Sequence, residues 1–302
     1  MVLKRTVPDG CSNRLSSFLS SDMKLSSSMV RRLKRVQGIF VDGVPQYTSY
    51  ILRGGETVTV DIGLAEAESD IVPQDGEIDI IFENEGILVL NKPNGMLTHP
   101  SRAQYTDTLA NFAAGYLTDG VCHAVNRLDR GTSGVVLFAK SSYHMERCVD
   151  ALRREDARKT YTAVVYGEIY PRDGTIELPI SRPDERDIKR IVSEDGQRAV
   201  THYKTLRVAS LDGVTVSVLS LVLETGRTHQ IRVHLSSLGH PVLGDRLYAS
   251  EDTAPLNEKY GLRDQLLHAS ELYFTDPVSG EFLALQAEIK RQDMKDILEK
   301  LK

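Results

Sequence analysis

The sequence predicts an α+β fold. A large domain built on a mixed, largely antiparallel sheet flanked by helices follows a small N-terminal α/β module. Three observations lead there. Strand candidates come in consecutive runs, without the dense βαβ alternation of a doubly wound sheet. Charge is split along the chain: residues 1–60 hold nine Lys/Arg against four Asp/Glu, whereas residues 61–90 hold nine Asp/Glu and no Lys/Arg. The 302 residues are enough for one substantial core plus a satellite domain. The module is placed at residues 13–62, a linker at 63–76 and the large domain at 77–302.

In the module, Leu15, Phe18 and Leu19 have helical spacing. The stretch from Ser28 to Arg35 offers a second short helix that Ser26, Ser27 or Ser28 can cap. Ile39-Phe40-Val41 then meets the turn Asp42-Gly43, and Gly54-Gly55 leads into a strand through Val58, Val60 and Ile62. The basic run Arg31, Arg32, Lys34, Arg35 shares one element with apolar Val30, Leu33 and Val36. Such a run is compatible with a solvated face or with an RNA-binding one. Residues 61–77, acidic and carrying Pro73, read as a linker.

In the large domain, Ile78–Phe82 and Ile87–Leu90 read as strands, the second ending at Asn91-Lys92-Pro93-Asn94-Gly95. Thr108–Leu117 is expected to be helical, Val135–Ala139 a short buried strand, and Ser142 to about Arg158 a charged helix. Thr160–Tyr166 reads as a strand stopped by Gly167, with long strands around His202–Val208 and Val214–Leu223. The polar segment 182–196, with Arg182, Arg186, Lys189 and Arg190, reads as a surface loop, compatible with gripping a phosphate backbone.

Composition excludes several classes. With 41% hydrophobic and 26% charged residues the chain is too apolar for a disordered protein. It nowhere has 18 consecutive apolar residues, so no membrane span is expected. The start lacks the apolar run of a secretory signal, and a cytoplasmic location is expected. Cys11, Cys122 and Cys148 have no CxxC spacing and read as small buried hydrophobes or idle thiols. A net charge of -5 does not exclude nucleic acid, because local clusters bind phosphate.

Three clusters carry chemistry. In Asn126-Arg127-Leu128-Asp129-Arg130-Gly131-Thr132-Ser133-Gly134 a lone Asp between two arginines, at a strand start, tends to stay ionised. The same pattern fits a structural turn with a salt bridge. Lys159-Thr160-Tyr161 holds a Tyr that also fits a half-buried strand aromatic. Leu223 to Leu235 reads as a strand end, a Gly turn and a helix whose Ile231, Leu235 and Leu238 face the core, with Gly239 as its stop. His229 and His234 are five apart without an HExxH arrangement, so zinc is not expected, and neither Gly cluster fits a P-loop or dinucleotide fingerprint. GxSxG is absent too.

These clusters together resemble the RluA-type (RluD-like) pseudouridine synthase family, large-subunit rRNA subgroup. Asn126–Gly134 is similar to its His-Arg-Leu-Asp-x-x-Thr-Ser-Gly loop, with Asn126 standing where the family usually has His. Lys159 and Tyr161 match its Lys-x-Tyr segment, and Thr225–His234 its Thr-Gly-Arg-Thr-His-Gln-Ile-Arg-Val-His block, continued by Leu238–Asp245. Asn91-Lys92-Pro93, Gly95 and His99-Pro100 match its opening. The resemblance covers about residues 77 to 298. More loosely, the N-terminal module looks like the small RNA-binding domain named after ribosomal small-subunit protein four, with Arg14-Leu15-Ser16 in place of an Arg-Leu-Asp opening.

The resemblance implies the pseudouridine synthase fold and isomerisation of uridine to pseudouridine in structured RNA, with 23S rRNA as target. A tRNA target, or a non-catalytic RNA-binding or ribosome-assembly role, are the alternatives. It implies Asp129 as the essential carboxylate, Tyr161 beneath the uracil ring and Arg227 as partner of Asp129. Arg127, Arg130, Lys92, Leu223 and Arg232 are the expected RNA or substrate contacts, joined by Arg31, Arg32, Lys34 and Arg35 of the module. Asn126, like His, can hydrogen-bond loop backbone and is not the nucleophile. No cofactor and no metal are expected. The expected partner is RNA, in the form of large-subunit rRNA or the assembling subunit, with no membrane and a monomeric chain.

Overall fold

The computed structural model describes residues 1–66, 71–117, 121–184 and 187–301. Positions 67–70 of the acidic linker, and Glu185 and Arg186 of the polar loop, lie outside the described residues.

The N-terminal module runs β1 (Val2–Thr6), α1 (Leu15–Ser21), α2 (Ser27–Arg35), β2 (Ile39–Val41), β3 (Val44–Pro45), β4 (Thr57–Asp61) and α3 (Ile62–Ala65). Its antiparallel sheet has the order β1-β4-β2-β3. The strand β1 lies upstream of residue 13, where the sequence pattern starts the module. Its side chains are mostly exposed, so no hydrophobic alternation marks it. Ile62 opens α3 instead of extending the strand, because the Asp61 carboxylate accepts from Gly63 N–H and caps the turn. In α2, Ser26 is the cap, accepting from Met29 N–H at 3.1 Å. Met29 and Leu33 are buried, whereas Arg31, Lys34 and Arg35 face solvent.

The large domain continues with β5 (Ile80–Glu83), β6 (Ile87–Lys92), α4 (Leu109–Tyr116), β7 (His123–Ala124), β8 (Ser133–Ala139) and α5 (Ser142–Ala151). Then come β9 (Arg158–Tyr166), β10 (Asp173–Glu177), β11 (Ile180–Ser181), β12 (Ile191–Val192), β13 (Val200–Leu211) and β14 (Val214–Leu223). The last elements are α6 (Gln230–Ser237), α7 (Ala254–Lys259), β15 (Leu267–Thr275), β16 (Phe282–Gln286) and α8 (Gln292–Lys300). The central sheet has the order β10-β13-β14-β9-β15-β8-β6-β5, with β16 on β15 and β7 on β8. Every pairing is antiparallel except β15 with β8, which makes the sheet mixed as the strand pattern predicts.

The apolar run of β8 reflects a strand covered on both faces. Val136 and Phe138 pack in a core with Leu109, Ala110 and Ala113 of α4. Val135 and Leu137 point the other way, into a core with Cys148 and Ala151 of α5 and Leu272 and Phe274 of β15. Two helix boundaries differ from the sequence reading. The helix α5 ends at Ala151, because residues from Arg158 onward pair with β15 and β14. At the end of α6, Gly239 takes φ +81° and closes the helix, which leaves Leu238 43% exposed, outside the core. No membrane-spanning helix is present among the described residues.

The module docks on the N-terminal end of α5. The Ser26 and Ser28 hydroxyls donate to the Glu146 carboxylate at 2.8 and 3.0 Å, and Arg32 Nη2 donates to Ser142 Oγ at 3.0 Å. Both Glu66 oxygens accept from Ser142 N–H at 3.0 Å, and Glu66 Oε1 meets His123 Nε2 at 2.9 Å. Burial works against the Glu66 charge, but the His123 and Ser142 contacts outweigh it and hold its pKa below the ordinary value.

The parallel contact of β8 with β15 is confined to Ser133–His268 and Gly134–Ala269. It needs a glycine. Gly134 has φ +113°, and a Cβ there would stand 2.1 Å from the Ala269 carbonyl oxygen. Gly134→Ala is therefore expected to destabilise the chain by about 3 kcal/mol or more, read as a lower urea midpoint.

Candidate active site

The loop 126–134 leads into β8 and makes few ladder bonds of its own, so side chains from the rest of the domain fix it. Asn126 continues where β7 stops: its Oδ1 accepts from Leu137 N–H at 2.7 Å and its Nδ2 donates to the Val135 carbonyl at 3.2 Å. The Thr98 hydroxyl both donates to the Leu128 carbonyl and accepts from Leu128 N–H. Lys92 is fully buried and donates to the carbonyls of Pro93, Met96 and Arg130 at 2.8, 2.7 and 3.1 Å. Burial brings its pKa down to about 7, against the pull of Asp129 and Asp264. Arg291 donates to the carbonyls of Gly131, Gln265 and Asp264. Behind the loop, the Ser133 hydroxyl meets His268 Nδ1 at 2.8 Å while His268 Nε2 faces the Ala287 carbonyl at 3.0 Å.

This scaffold presents Asp129 to a cleft of about 830 Å³, also lined by Tyr161, Leu223, Arg227, His229 and Arg232. Asp129 Oδ2 accepts from Arg232 Nη1 at 2.9 Å. The other edge of the same guanidinium makes a fork with Asp245: Nε to Oδ2 at 2.6 Å and Nη2 to Oδ1 at 2.9 Å. Asp245 is fully buried, and its Oδ1 also accepts from the N–H groups of Leu247 and Tyr248. Tyr248 lies 5.0 Å below the Arg232 guanidinium. Burial opposes the Arg232 charge, but Asp245 and then Asp129 outweigh it and raise its pKa above the ordinary guanidinium value.

His229 begins α6 in a left-handed backbone conformation, φ 58°. Its Nε2 stands 3.9 Å from Asp129 Oδ2, and its Nδ1 is 3.0 Å from the Tyr248 hydroxyl. Burial lowers its pKa, with Asp129 acting in the opposite direction. Tyr161 is 7% exposed, and burial together with the Asp129 charge pushes its hydroxyl pKa above the ordinary phenol value.

Three expected contacts are corrected. Arg227 does not pair with Asp129: it lies in the turn before α6, exposed, and its Nε donates to the Arg198 carbonyl at 3.1 Å. Arg232 is that partner: α6 is buried all round from Gln230 to Leu235, and Arg232 Nη1 stands 2.9 Å from Asp129 Oδ2. It is thereby withdrawn from phosphate contact, and Lys92, its three donors spent on carbonyls, is withdrawn as well. Arg127 and Arg130 remain exposed at the cleft, with Arg130 Nε donating to the Gly95 carbonyl. Asp245, Tyr248 and Arg291 were not singled out by sequence. An arginine among Ile231, Val233 and Leu235 was the one available signal, since a buried guanidinium needs carboxylates.

Three comparisons bear on this site. The model of the RNA pseudouridylate synthase family matches residues 86–237. The chain is 38% identical over 287 residues to the uncharacterized RNA pseudouridine synthase YhcT of Bacillus subtilis, covering 94% of this chain and 91% of that protein. It is 33% identical to the ribosomal large subunit pseudouridine synthase D of Xanthomonas campestris, covering 98% of this chain and 91% of that protein. Among solved structures, human RNA pseudouridylate synthase domain containing 4 matches with a TM-score of 0.59 and 26% identity, over 74% of this chain and 92% of that one.

Asp245→Asn leaves Arg232 with one carboxylate instead of two in a buried setting. It is expected to cost about 3–5 kcal/mol, measured by urea denaturation.

Proposed function

The chain belongs to the RNA pseudouridylate synthase family, and on that premise we propose that Asp129 carries the isomerisation of a uridine in large-subunit ribosomal RNA. Pseudouridine synthesis in RNA, an isomerase activity, is what the family membership gives. The aspartate and the rRNA target are our reading.

One observation carries it: a carboxylate on a rigid loop, facing an open cleft, with one oxygen held by a buried guanidinium. The reaction breaks the bond between N1 and the ribose, turns the uracil and rejoins it through C5. C5 loses a proton, N1 gains one, and no net redox occurs. Attack on C1′ and removal of the 2′-hydrogen both require an ionised carboxylate of fixed direction, which Arg232 supports. Tyr161 serves as the platform beneath the base. Its raised pKa argues for a stacking role with the phenol proton retained, rather than for a general base. Leu223 completes the apolar wall. A uridine in structured RNA reaches this pocket by flipping, at a cost of a few kcal/mol, and Arg127, Arg130 and Arg227 at the cleft meet the flanking phosphates. Arg31, Arg32, Lys34 and Arg35 add a second basic surface on the module. The rRNA target is supported by likeness to proteins named ribosomal large subunit pseudouridine synthase D over nearly the whole chain.

Chemical mapping of pseudouridine across rRNA and tRNA, in cells lacking the protein and rescued with wild type or Asp129→Ala, tests both parts. Large-subunit sites should vanish on deletion and return only with wild type. Loss confined to tRNA sites would overturn the target, and restoration by Asp129→Ala would overturn the role of the aspartate. In purified protein Arg232→Lys is expected to lower kcat about 100-fold, because one point charge cannot orient two carboxylates. Arg227→Lys should leave kcat within about threefold of wild type, since its contact is to a backbone carbonyl outside the Asp129 pair.

A further inference from the structure

A second groove, between the N-terminal module and the large domain, is lined on one side by Arg31, Arg32 and Arg35 of α2 and on the other by His123, Met145 and Glu146. Among the described residues, none of the three guanidinium groups is paired with a carboxylate. Arg31 Nε donates to the Ser27 carbonyl, and Arg32 Nη2 to Ser142 Oγ. Arg32 Nε is buried without a partner. Among the described residues the one carboxylate on the groove wall is Glu146, whose Oε1 accepts from the Ser26 and Ser28 hydroxyls. The groove therefore sets three guanidinium groups against one carboxylate on its wall, with no ion pair formed between them, an excess of positive charge that suits an anionic ligand.

The groove and the active-site cleft are lined by neighbouring residues of the same elements. Met145 lines the groove, while Val149 of α5 and Leu152 at its C-cap, four and seven residues further on, line the cleft. Those seven residues span about 10 Å at the helical rise. The parallel stretch behaves alike: His123 lines the groove, and Val125, Asn126 and Arg127 line the cleft. Two separate elements thus lead from the catalytic loop to the same three arginines. Glu66, bonded to Ser142 and His123, fixes the module at that end of the trough.

We propose that this inter-module groove is a phosphate-binding extension of the active site, which holds the RNA backbone about 10–15 Å from the cleft. The inference rests on the RNA substrate proposed above, and it adds that both walls contribute and that the module binds as a fixed part of the enzyme. A bare basic helix would bind RNA whatever stood opposite; a composite groove would not.

The test uses the full chain and filter binding of an unmodified large-subunit rRNA transcript over a range of salt. Arg31→Ala with Arg35→Ala should weaken binding about tenfold and lower the slope of log K against log salt by about 1.5, two phosphate contacts being lost. Arg53→Ala, exposed on the same module outside the groove, should stay within twofold. Met145→Glu, on the opposite wall, should weaken binding by a similar factor, and Met145→Lys should tighten it, which a misfolded variant could not mimic. Met145 variants that bind like wild type while the arginine variant fails would overturn the composite groove. So would an arginine variant with an unchanged salt slope. If wild type forms no pseudouridine in any RNA but the affinity pattern holds, the catalytic reading fails and the groove stands. If wild type is active and all variants bind equally, only the groove fails.

Discussion

One buried guanidinium organises the cleft. Arg232 lies between Asp245, fully buried in the scaffold, and Asp129, a quarter exposed at the mouth, and its stem leaves a helix that packs in the main core. A buried cation is costly to hold alone. Here two carboxylates and the face of Tyr248 surround it, and that shared cost is what fixes the geometry. Asp245 is saturated by the guanidinium and two backbone N–H groups. It belongs to the scaffold, and of the two carboxylates on Arg232 it is Asp129 that faces the cleft.

The loop carrying Asp129 is rigid for a different reason. A segment outside a ladder still has to satisfy its carbonyls when buried, and this one uses the side chains of distant residues: Lys92 for Arg130, Thr98 for Leu128, Arg291 for Gly131. Cations aimed at carbonyls lock backbone without competing for the Asp129 carboxylate. Asn126 has the same kind of job, bonding Val135 and Leu137 of the adjoining strand with its amide. An amide supplies both the donor and the acceptor that this position uses.

The acidic seam between the modules acquires a local meaning from Glu66. Instead of a solvated tether, this carboxylate sits at the start of α5, where backbone N–H groups and the helix dipole favour negative charge. The basic helix α2 is thereby brought beside the large domain. The net charge of the chain is negative, yet seven arginines line the cleft and three the groove beside it, which is the distribution that matters to a polyanion.

The sequence by itself determined the fold class, half of the described strands, most of the described helices, and the motif loop around Asp129. Those follow from local periodicity, turn residues and motif order, which a linear reading carries. It did not determine β1 or the central place of β15. The first shows no hydrophobic alternation, and the second owes its place to partners more than a hundred residues away. Nor could spacing alone choose between Arg227 and Arg232 as the partner of Asp129. Both lie within one short block, and the choice depends on where the helix begins: Arg227 falls in the turn, while Arg232 falls in the first turn of α6 and is buried. The surroundings of Lys92 were equally out of reach, since the three carbonyls that close around it come together only in the fold. Side-chain direction in a packed core is set by long-range contacts, and only the tertiary structure supplies those.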